Sequence, residues 1–465
     1  MQLLKSSTGI QGLDELTGGG LPQGRATLVC GGPGCGKTLL SMEFLVHGAL
    51  RYGEPGVFMA FEESPRDLTE NVASLGFDLE ALVAKDLLSI DRVQVNRSEL
   101  EESGEYDLEG LFIRLGHAID RIGAKRVVLD TIETLFGGLA DQAVLRSELR
   151  RLFQWLKDKG VTAIITGERG NDPAMLTRQG LEEYVSDCVI VLDHRVSGMV
   201  SSRRLRVVKY RGSTHGTNEY PFLIDGDGIT VLPVTSLGLA HVASNERVSS
   251  GIASLDAMLE GKGYFKGTSI LLGGAAGAGK TSIAAHFADS ACRRGERCVY
   301  FAFEESPSQL TRNMGSVGMN LKSWSDKGLL RFRAERPSLH GFEPHLALMF
   351  KELLDFKPDV AVVDPLSALL SIGTTQQTQG MLLRLIDHLK TLGVTALYTT
   401  LQVEENQSGV DVSSIMDTWI RLESSQDEND LVRRLHIVKS RGMAHATDLR
   451  RMLITPAGVQ LAKTP

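Results

Sequence analysis

Two stretches of this chain have the composition of a phosphate cradle. Gly31-Gly32-Pro33-Gly34-Cys35-Gly36-Lys37-Thr38 and Gly274-Ala275-Ala276-Gly277-Ala278-Gly279-Lys280-Thr281 both fit the spacing G-x-x-x-x-G-K-[ST]. Glycines at this density let successive backbone N–H groups turn inward around phosphate oxygens, at the positive end of a following helix. The contacts expected with ATP or ADP come from Gly32, Gly34, Cys35 and Gly36 in the first loop, and from Gly277, Ala278, Gly279 and the following Ser282 in the second. Lys37 and Lys280 are placed to neutralise the β- and γ-phosphates, and Thr38 and Thr281 to hold Mg2+. A lone match is a moderate signal, because Gly-rich turns are common. Here each match follows an apolar run, opens a helical one and occurs twice.

Carboxylates recur downstream of both loops. Asp130 and Asp364 each end an apolar run, RVVLD and VAVVD, where a carboxylate can bind Mg2+ through its water shell. A strand-capping Asp is the plainer reading. Glu62-Glu63 and Glu304-Glu305 are expected to end strands beside the phosphate loops. Adjacent glutamates usually serve solubility, but here the whole FEESP segment is repeated. One of each pair, Glu62 or Glu304, would orient or deprotonate the nucleophile that attacks the γ-phosphate. Lys209-x-Arg211 and Lys439-x-Arg441 place two cations on one face of a late strand. They are either surface charge on an edge strand or, in a ring, an arginine finger for the neighbour's γ-phosphate.

The chain repeats itself. TGIQGLDELTGGGLPQGRATLVCGGPGCGKT in the first half answers SGIASLDAMLEGKGYFKGTSILLGGAAGAGKT in the second, and three further segments match in the same order. The offset between copies is 243 at the loop lysines and 230 at Lys209/Lys439, as loop deletions would produce. The domains are expected at 1–238 and 246–465, with a boundary near Leu237–Asn245. Within the first copy, Leu28–Cys30, Val57–Phe61, Val127–Asp130, Ala163–Thr166 and Val189–Leu192 read as strands. Leu39–Tyr52 and Arg146–Lys159 read as helices. Strands that are apolar throughout, separated by helices, imply an α/β fold: tandem domains, each a largely parallel sheet covered on both faces.

The 465 residues are 42% hydrophobic and 23% charged, which is globular. The net charge of −7 offers no global positive field for nucleic acid. Arg203-Arg204 and Arg433-Arg434 read best as solvated strand ends. The five cysteines form no C-x-x-C pair and no zinc spacing, which fits a reducing cytoplasm. No apolar run approaches the ~18 residues a membrane span needs, so no membrane association is expected.

Taken together, the LDELTGGGLPQG opening, both FEESP segments, EEYVSD (182–187), EYPF (219–222) and the KYRG/KSRG strands resemble the KaiC family of circadian-clock ATPases and autokinases, within the RecA-like superfamily. The resemblance covers nearly the whole chain. It implies RecA-like domains and a homohexamer of two stacked rings with ATP between subunits. It also implies autokinase and autophosphatase activity on two adjacent hydroxyl residues of the second domain. Ser413 and Ser414, ahead of Ile415-Met416-Asp417-Thr418, fall on that position. By the residues alone, two serines before an apolar strand are a loop or cap. The repeat aligns them with Glu183 and Tyr184, which suits a hydrolytic first ring and a phosphotransferring second one. Family members carry a further tail gripped by an activator, whereas this chain stops at Ala462-Lys463-Thr464-Pro465. A KaiA-like activator is therefore not expected. A KaiB-like partner, which docks on the first ring, is compatible.

Two other readings share the ATP machinery. A RecA- or helicase-like DNA motor needs basic or aromatic channel loops, and no basic run is present. An ATP-assembled scaffold without turnover would not need both glutamate pairs and both Lys-x-Arg pairs.

Overall fold

The computed structural model describes residues 3–93, 108–136, 142–170, 186–197, 200–232, 243–337, 341–370, 375–401, 412–427 and 430–463. The chain divides into two compact units, Met1–Ser236 and Leu237–Pro465, each with its own sheet and core. Residues 237–242 of the expected boundary, and Glu183 and Tyr184, lie outside the described residues.

In the first unit, β1 (Lys5–Ser6) pairs β2 (Leu21–Pro22) in a short ribbon. The main sheet has nine strands: β3 (Ala26–Gly31), β4 (Gly56–Ala60), β5 (Leu88–Arg92), β6 (Arg126–Asp130), β7 (Thr162–Glu168), β8 (Cys188–Ser197), β9 (Val200–Tyr210), β10 (Tyr220–Asp225) and β11 (Gly228–Val231). Their order is β11-β10-β9-β8-β3-β7-β6-β4-β5. Strands β3 to β8 run parallel, and β9 to β11 extend the sheet antiparallel. Every residue of β3, β4 and β6 is buried. Alternate residues serve opposite faces. Phe58 and Ala60 pack with helix α1 (Lys37–Tyr52), while Val57 and Met59 pack with α2 (Glu109–Ile122) and α3 (Gln142–Asp158). A strand covered on both faces has no need of a polar row, which is why these runs lack alternation.

The second unit repeats the plan. β12 (Arg247–Val248) pairs β13 (Tyr264–Phe265). The main strands are β14 (Ser269–Gly274), β15 (Cys298–Ala302), β16 (Leu330–Ala334), β17 (Val360–Asp364), β18 (Thr395–Leu401), β19 (Thr418–Asp427), β20 (Asp430–Ser440), β21 (Arg450–Thr455) and β22 (Gly458–Lys463). Their order, β16-β15-β17-β18-β14-β19-β20-β21-β22, mirrors the first sheet. Helix α4 (Lys280–Arg293) covers the face that carries Cys298, Tyr300 and Ala302.

The expected elements are present, with shifted ends. The first long helix begins at Lys37, two residues before the apolar pattern starts, because the phosphate loop leads straight into it. Strand β4 stops at Ala60, and the Phe61 N–H donates to the Asp130 carbonyl at 2.9 Å. Among the described residues, no helix is long and apolar enough to cross a membrane.

Candidate active sites

Each phosphate loop joins a central strand to a helix: β3 to α1, and β14 to α4. The helices start after Gly36 and Gly279 with no side-chain cap and no acidic residue in the first turn. Their first N–H groups therefore lack the usual protein partners, which makes each a seat for an anion. A Cβ added at Gly32, Gly34 or Gly277 would meet nothing within 4 Å, so the cradle is open on that side. At Gly36 and Gly279 the opposite holds. Their φ angles are 106° and 101°, and a Cβ would press on Ile224 at 2.9 Å and on Met452 at 2.7 Å. Cys35 and Ala278 are buried, which leaves their backbone for a ligand. The Ser282 carbonyl is bonded to His286 Nδ1 at 2.9 Å.

Lys37 Nζ donates to the Gly31 and Gly32 carbonyls at 2.9 and 3.0 Å. Lys280 Nζ donates to the Gly274 and Ala275 carbonyls at 2.7 and 2.8 Å. Burial lowers the Lys280 pKa, opposed by the Asp364 and Glu304 carboxylates. Both amines thus sit folded over their loops.

The carboxylates gather at the same end. In the first unit, Thr38 Oγ1 donates to Asp130 Oδ2 at 2.8 Å, and Thr166 donates to Oδ1. Burial raises the Asp130 pKa, and these two donors work against the shift. In the second unit, Tyr300 Oη donates to Asp364 Oδ2 at 2.6 Å and Thr399 donates to Oδ1. A threonine hydroxyl beside a carboxylate is the hard-oxygen donor set that suits Mg2+.

The glutamate pairs lie in the turns that follow β4 and β15, not in the strands themselves, because the next helix claims the chain. Ser64 and Ser306 cap those helices in capping boxes with Asp67 and Gln309, and Pro65 and Pro307 open them. Thr134 Oγ1 donates to Glu62 Oε1 at 2.7 Å, and Thr131 Oγ1 does so at 3.3 Å. Asn71 and Asn313 donate to Glu63 and Glu305 at 3.2 and 3.0 Å. Burial raises the Glu63 pKa, and the Asp130 charge adds to the shift.

The remaining residues lie elsewhere. Lys209 faces Val189 across β9 and β8, and Tyr210 faces Cys188, which in turn faces Thr27 at the start of β3. The phosphate loop leaves β3 at its other end, opposite Leu192. Four residues of strand, about 13 Å, separate the two ends. Arg211 follows β9, its N–H donating to the Asp187 carbonyl at 2.8 Å. The second unit is built alike. Ser413 and Ser414 belong to the 3-10 turn Val412–Ile415, ahead of β19, which begins opposite Ile270 at the start of β14. Arg441 Nη2 donates to the Ser414 carbonyl at 2.6 Å, with Lys439 Nζ at 3.5 Å. Ser414 is exposed, while the Ser413 side chain lies outside the described residues. Asp417 fastens this turn, accepting from Ser269 N and Oγ at 2.9 and 2.8 Å and from Lys390 Nζ at 2.7 Å. Each sheet therefore brings loop, Asp and Glu together at one end of its strands and holds the Lys/Arg pair at the other, joined in the second unit by the serine turn.

Several contacts escaped the sequence reading. Arg433, read as a solvated strand end, donates from Nε to the Gly277 carbonyl of the phosphate loop at 3.1 Å. Arg204 donates to Glu219 at 3.0 Å. The hydroxyls of Thr166, Thr399 and Tyr300 and the amides of Asn71 and Asn313 were also missed. Repetition of the threonines and asparagines between halves was the available signal.

A family model for the KaiC ATPases matches residues 6–236 and again 248–465. The chain is 54% identical to the circadian clock protein KaiC2 of Synechocystis sp., over 99% of this chain and 82% of that protein. It is 39% identical to the circadian clock oscillator protein KaiC of Parathermosynechococcus lividus, over 98% of this chain and 85% of the other. With the corresponding protein of Parasynechococcus marenigrum it shares 36%, over 99% and 91%. Two phosphate loops, each backed by its own Asp and Glu pair on a RecA-like sheet, thus belong to a member of the KaiC family of ATPases.

Proposed function

We propose that the chain is a Mg2+-dependent ATPase and serine autokinase of the KaiC type, acting as a homohexamer with nucleotide between subunits. The first domain (1–238) hydrolyses ATP, and the second (246–465) transfers phosphate to Ser413 and Ser414. The polarity of the sheets carries this reading. Arg441 and Ser414 touch one another at the end opposite their own phosphate loop, so both serve a loop on another chain. A ring of identical head-to-tail contacts meets that need.

Thr38 with Asp130, and Thr281 with Asp364, are the residues that would hold Mg2+. When bound, that ion neutralises charge on the β- and γ-phosphate oxygens. Lys37 and Lys280 do the same from the loop side, and the neighbour's Lys209/Arg211 or Lys439/Arg441 from the other. In the first domain Glu62, held by Thr134 and Thr131, aligns a water. Oxygen attacks the γ-phosphorus, the bond to the bridging oxygen breaks, and ADP and phosphate leave. In the second domain Glu304 takes the proton from a serine hydroxyl as its oxygen bonds to the γ-phosphorus, leaving ADP and phosphoserine. Each phosphoserine adds about −1.5 to −2 charges at a subunit interface, which is a switch in packing. The chain works in the cytoplasm, with a KaiB-like protein as a compatible partner on the first ring.

Glu62→Gln and Glu304→Gln separate the two chemistries. Loss of the base costs about a hundredfold. Glu62→Gln should depress phosphate release and leave phosphoserine formation, with the reverse for Glu304→Gln. Equal loss of both activities in either variant would contradict the division of labour.

A further inference from the structure

We propose that Tyr300 sets the magnesium cradle of the second half apart from that of the first, by occupying the Asp364 oxygen whose counterpart on Asp130 binds the loop threonine. The inference rests on reading Asp130 and Asp364 as metal carboxylates.

The two halves supply the comparison. Tyr300 in β15 and Phe58 in β4 hold the same place in the FEESP segments, both fully buried in the row facing the helix after the phosphate loop. Asp130 Oδ1 accepts from Thr166, and Asp364 Oδ1 from Thr399, so that side is unchanged. The other oxygens differ. Asp130 Oδ2 accepts from Thr38 Oγ1 at 2.8 Å, while Asp364 Oδ2 accepts from Tyr300 Oη at 2.6 Å. Thr281 makes no hydrogen bond to Asp364. The buried phenol would be an unsatisfied polar group without that carboxylate.

Two consequences follow. Thr38 points its proton at Asp130, which leaves its lone pairs free for a cation, whereas Thr281 must be ordered when the cation arrives. A phenol is also a stronger donor than an aliphatic hydroxyl, so it withdraws more charge from the carboxylate. Both effects weaken divalent-cation binding in the second half relative to the first. Partners one shell beyond a metal shift its affinity by about tenfold or more.

The test is a Mn2+ titration of the metal-stripped full chain in excess ADP, following free Mn2+ by electron paramagnetic resonance. Wild type should show two classes of site, one per half. Tyr300→Phe, which installs the residue the first half already carries, should tighten the weak class about tenfold. Phe58→Tyr should loosen the tight class, and it decides alone if Tyr300→Phe does not fold. ADP affinity without metal should not change in either. Folded variants with the wild-type isotherm would overturn the inference. Asp364→Asn distinguishes the two levels. If it removes the weak class while Tyr300→Phe shifts nothing, only the role of Tyr300 falls. If it removes no class, the reading of Asp364 as a metal carboxylate falls with it.

Discussion

If the serines of one chain are served by the phosphate loop of another, two inactive variants should repair each other. Lys280→Ala keeps its serines but loses the loop amine that bonds the Gly274 and Ala275 carbonyls and reaches the phosphates. Ser413→Ala/Ser414→Ala keeps its loop but has no acceptor. Along β14, the loop end lies about 13 Å from the end where the Ser414 turn docks. A reacting hydroxyl must come within about 3.5 Å of phosphorus, so no side-chain rotation closes that gap within a chain. In a head-to-tail ring each acceptor faces one loop. A 1:1 mixture with free subunit exchange then gives about half of the Lys280→Ala chains a competent neighbour, and a ninefold excess of the serine variant raises this to about nine tenths. Intact-mass spectrometry separates the two chains and reads one or two added phosphates on the Lys280→Ala chain alone. Phosphate on pure Lys280→Ala would contradict transfer between chains. So would its absence after mixing, under conditions where wild type is phosphorylated.

Other consequences are equally direct. Thr134→Ala removes the 2.7 Å donor to Glu62, and loss of a bond to a charged group, about 1.5–3 kcal/mol, should slow ATP hydrolysis roughly ten- to a hundredfold. Its counterpart in the second half is Ala368, so phosphoserine formation should not change; an unaltered hydrolysis rate contradicts the positioning role. Arg441→Ala should cut phosphoserine formation by about 10³, as an arginine finger does, while phosphate release from the first half persists. Glu43 and His47, buried one turn apart in α1, should show opposing pH dependence. Burial raises the Glu43 pKa from 4.5 to about 7, so its contribution to stability is complete below 4.5 and is lost as pH rises through about 7. Burial lowers His47 from 6.5 to about 4, so its contribution is complete above 6.5 and is lost as pH falls through about 4. Glu43→Gln should therefore leave a melting temperature that drops as pH falls from about 6.5 to about 4, and His47→Gln one that drops as pH rises from 4.5 to about 7. Profiles parallel to wild type would contradict both assignments.

The phosphate loops, the strand-ending aspartates and the FEESP turns were legible in the sequence because each is a contiguous motif whose geometry is set within a few residues. The internal repeat made them more specific, since a chance glycine run does not recur with the same partners downstream. What the sequence left open depends on long-range register. Only the order β9-β8-β3, with Tyr210 facing Cys188 and Cys188 facing Thr27, puts Lys209 and Arg211 at the end away from Lys37. The contact of Arg433 with Gly277 has the same origin, because β20 returns antiparallel past the loop. Tyr300 reads as one more apolar strand residue. Its bond to Asp364 appears only when β15 is set beside β17, with Ala302 facing Asp364.

In the division of labour proposed for the two halves, the second passes phosphate to Ser413 and Ser414 of a neighbouring chain while the first hydrolyses ATP. Peptide mass spectrometry of the protein after incubation with Mg-ATP, beside the Ser413→Ala/Ser414→Ala variant, tests it most directly. Phosphate is expected on Ser413 and Ser414 in wild type, and none in the variant, whose ATP hydrolysis continues. A wild type that hydrolyses ATP and carries no phosphate on either serine would contradict it.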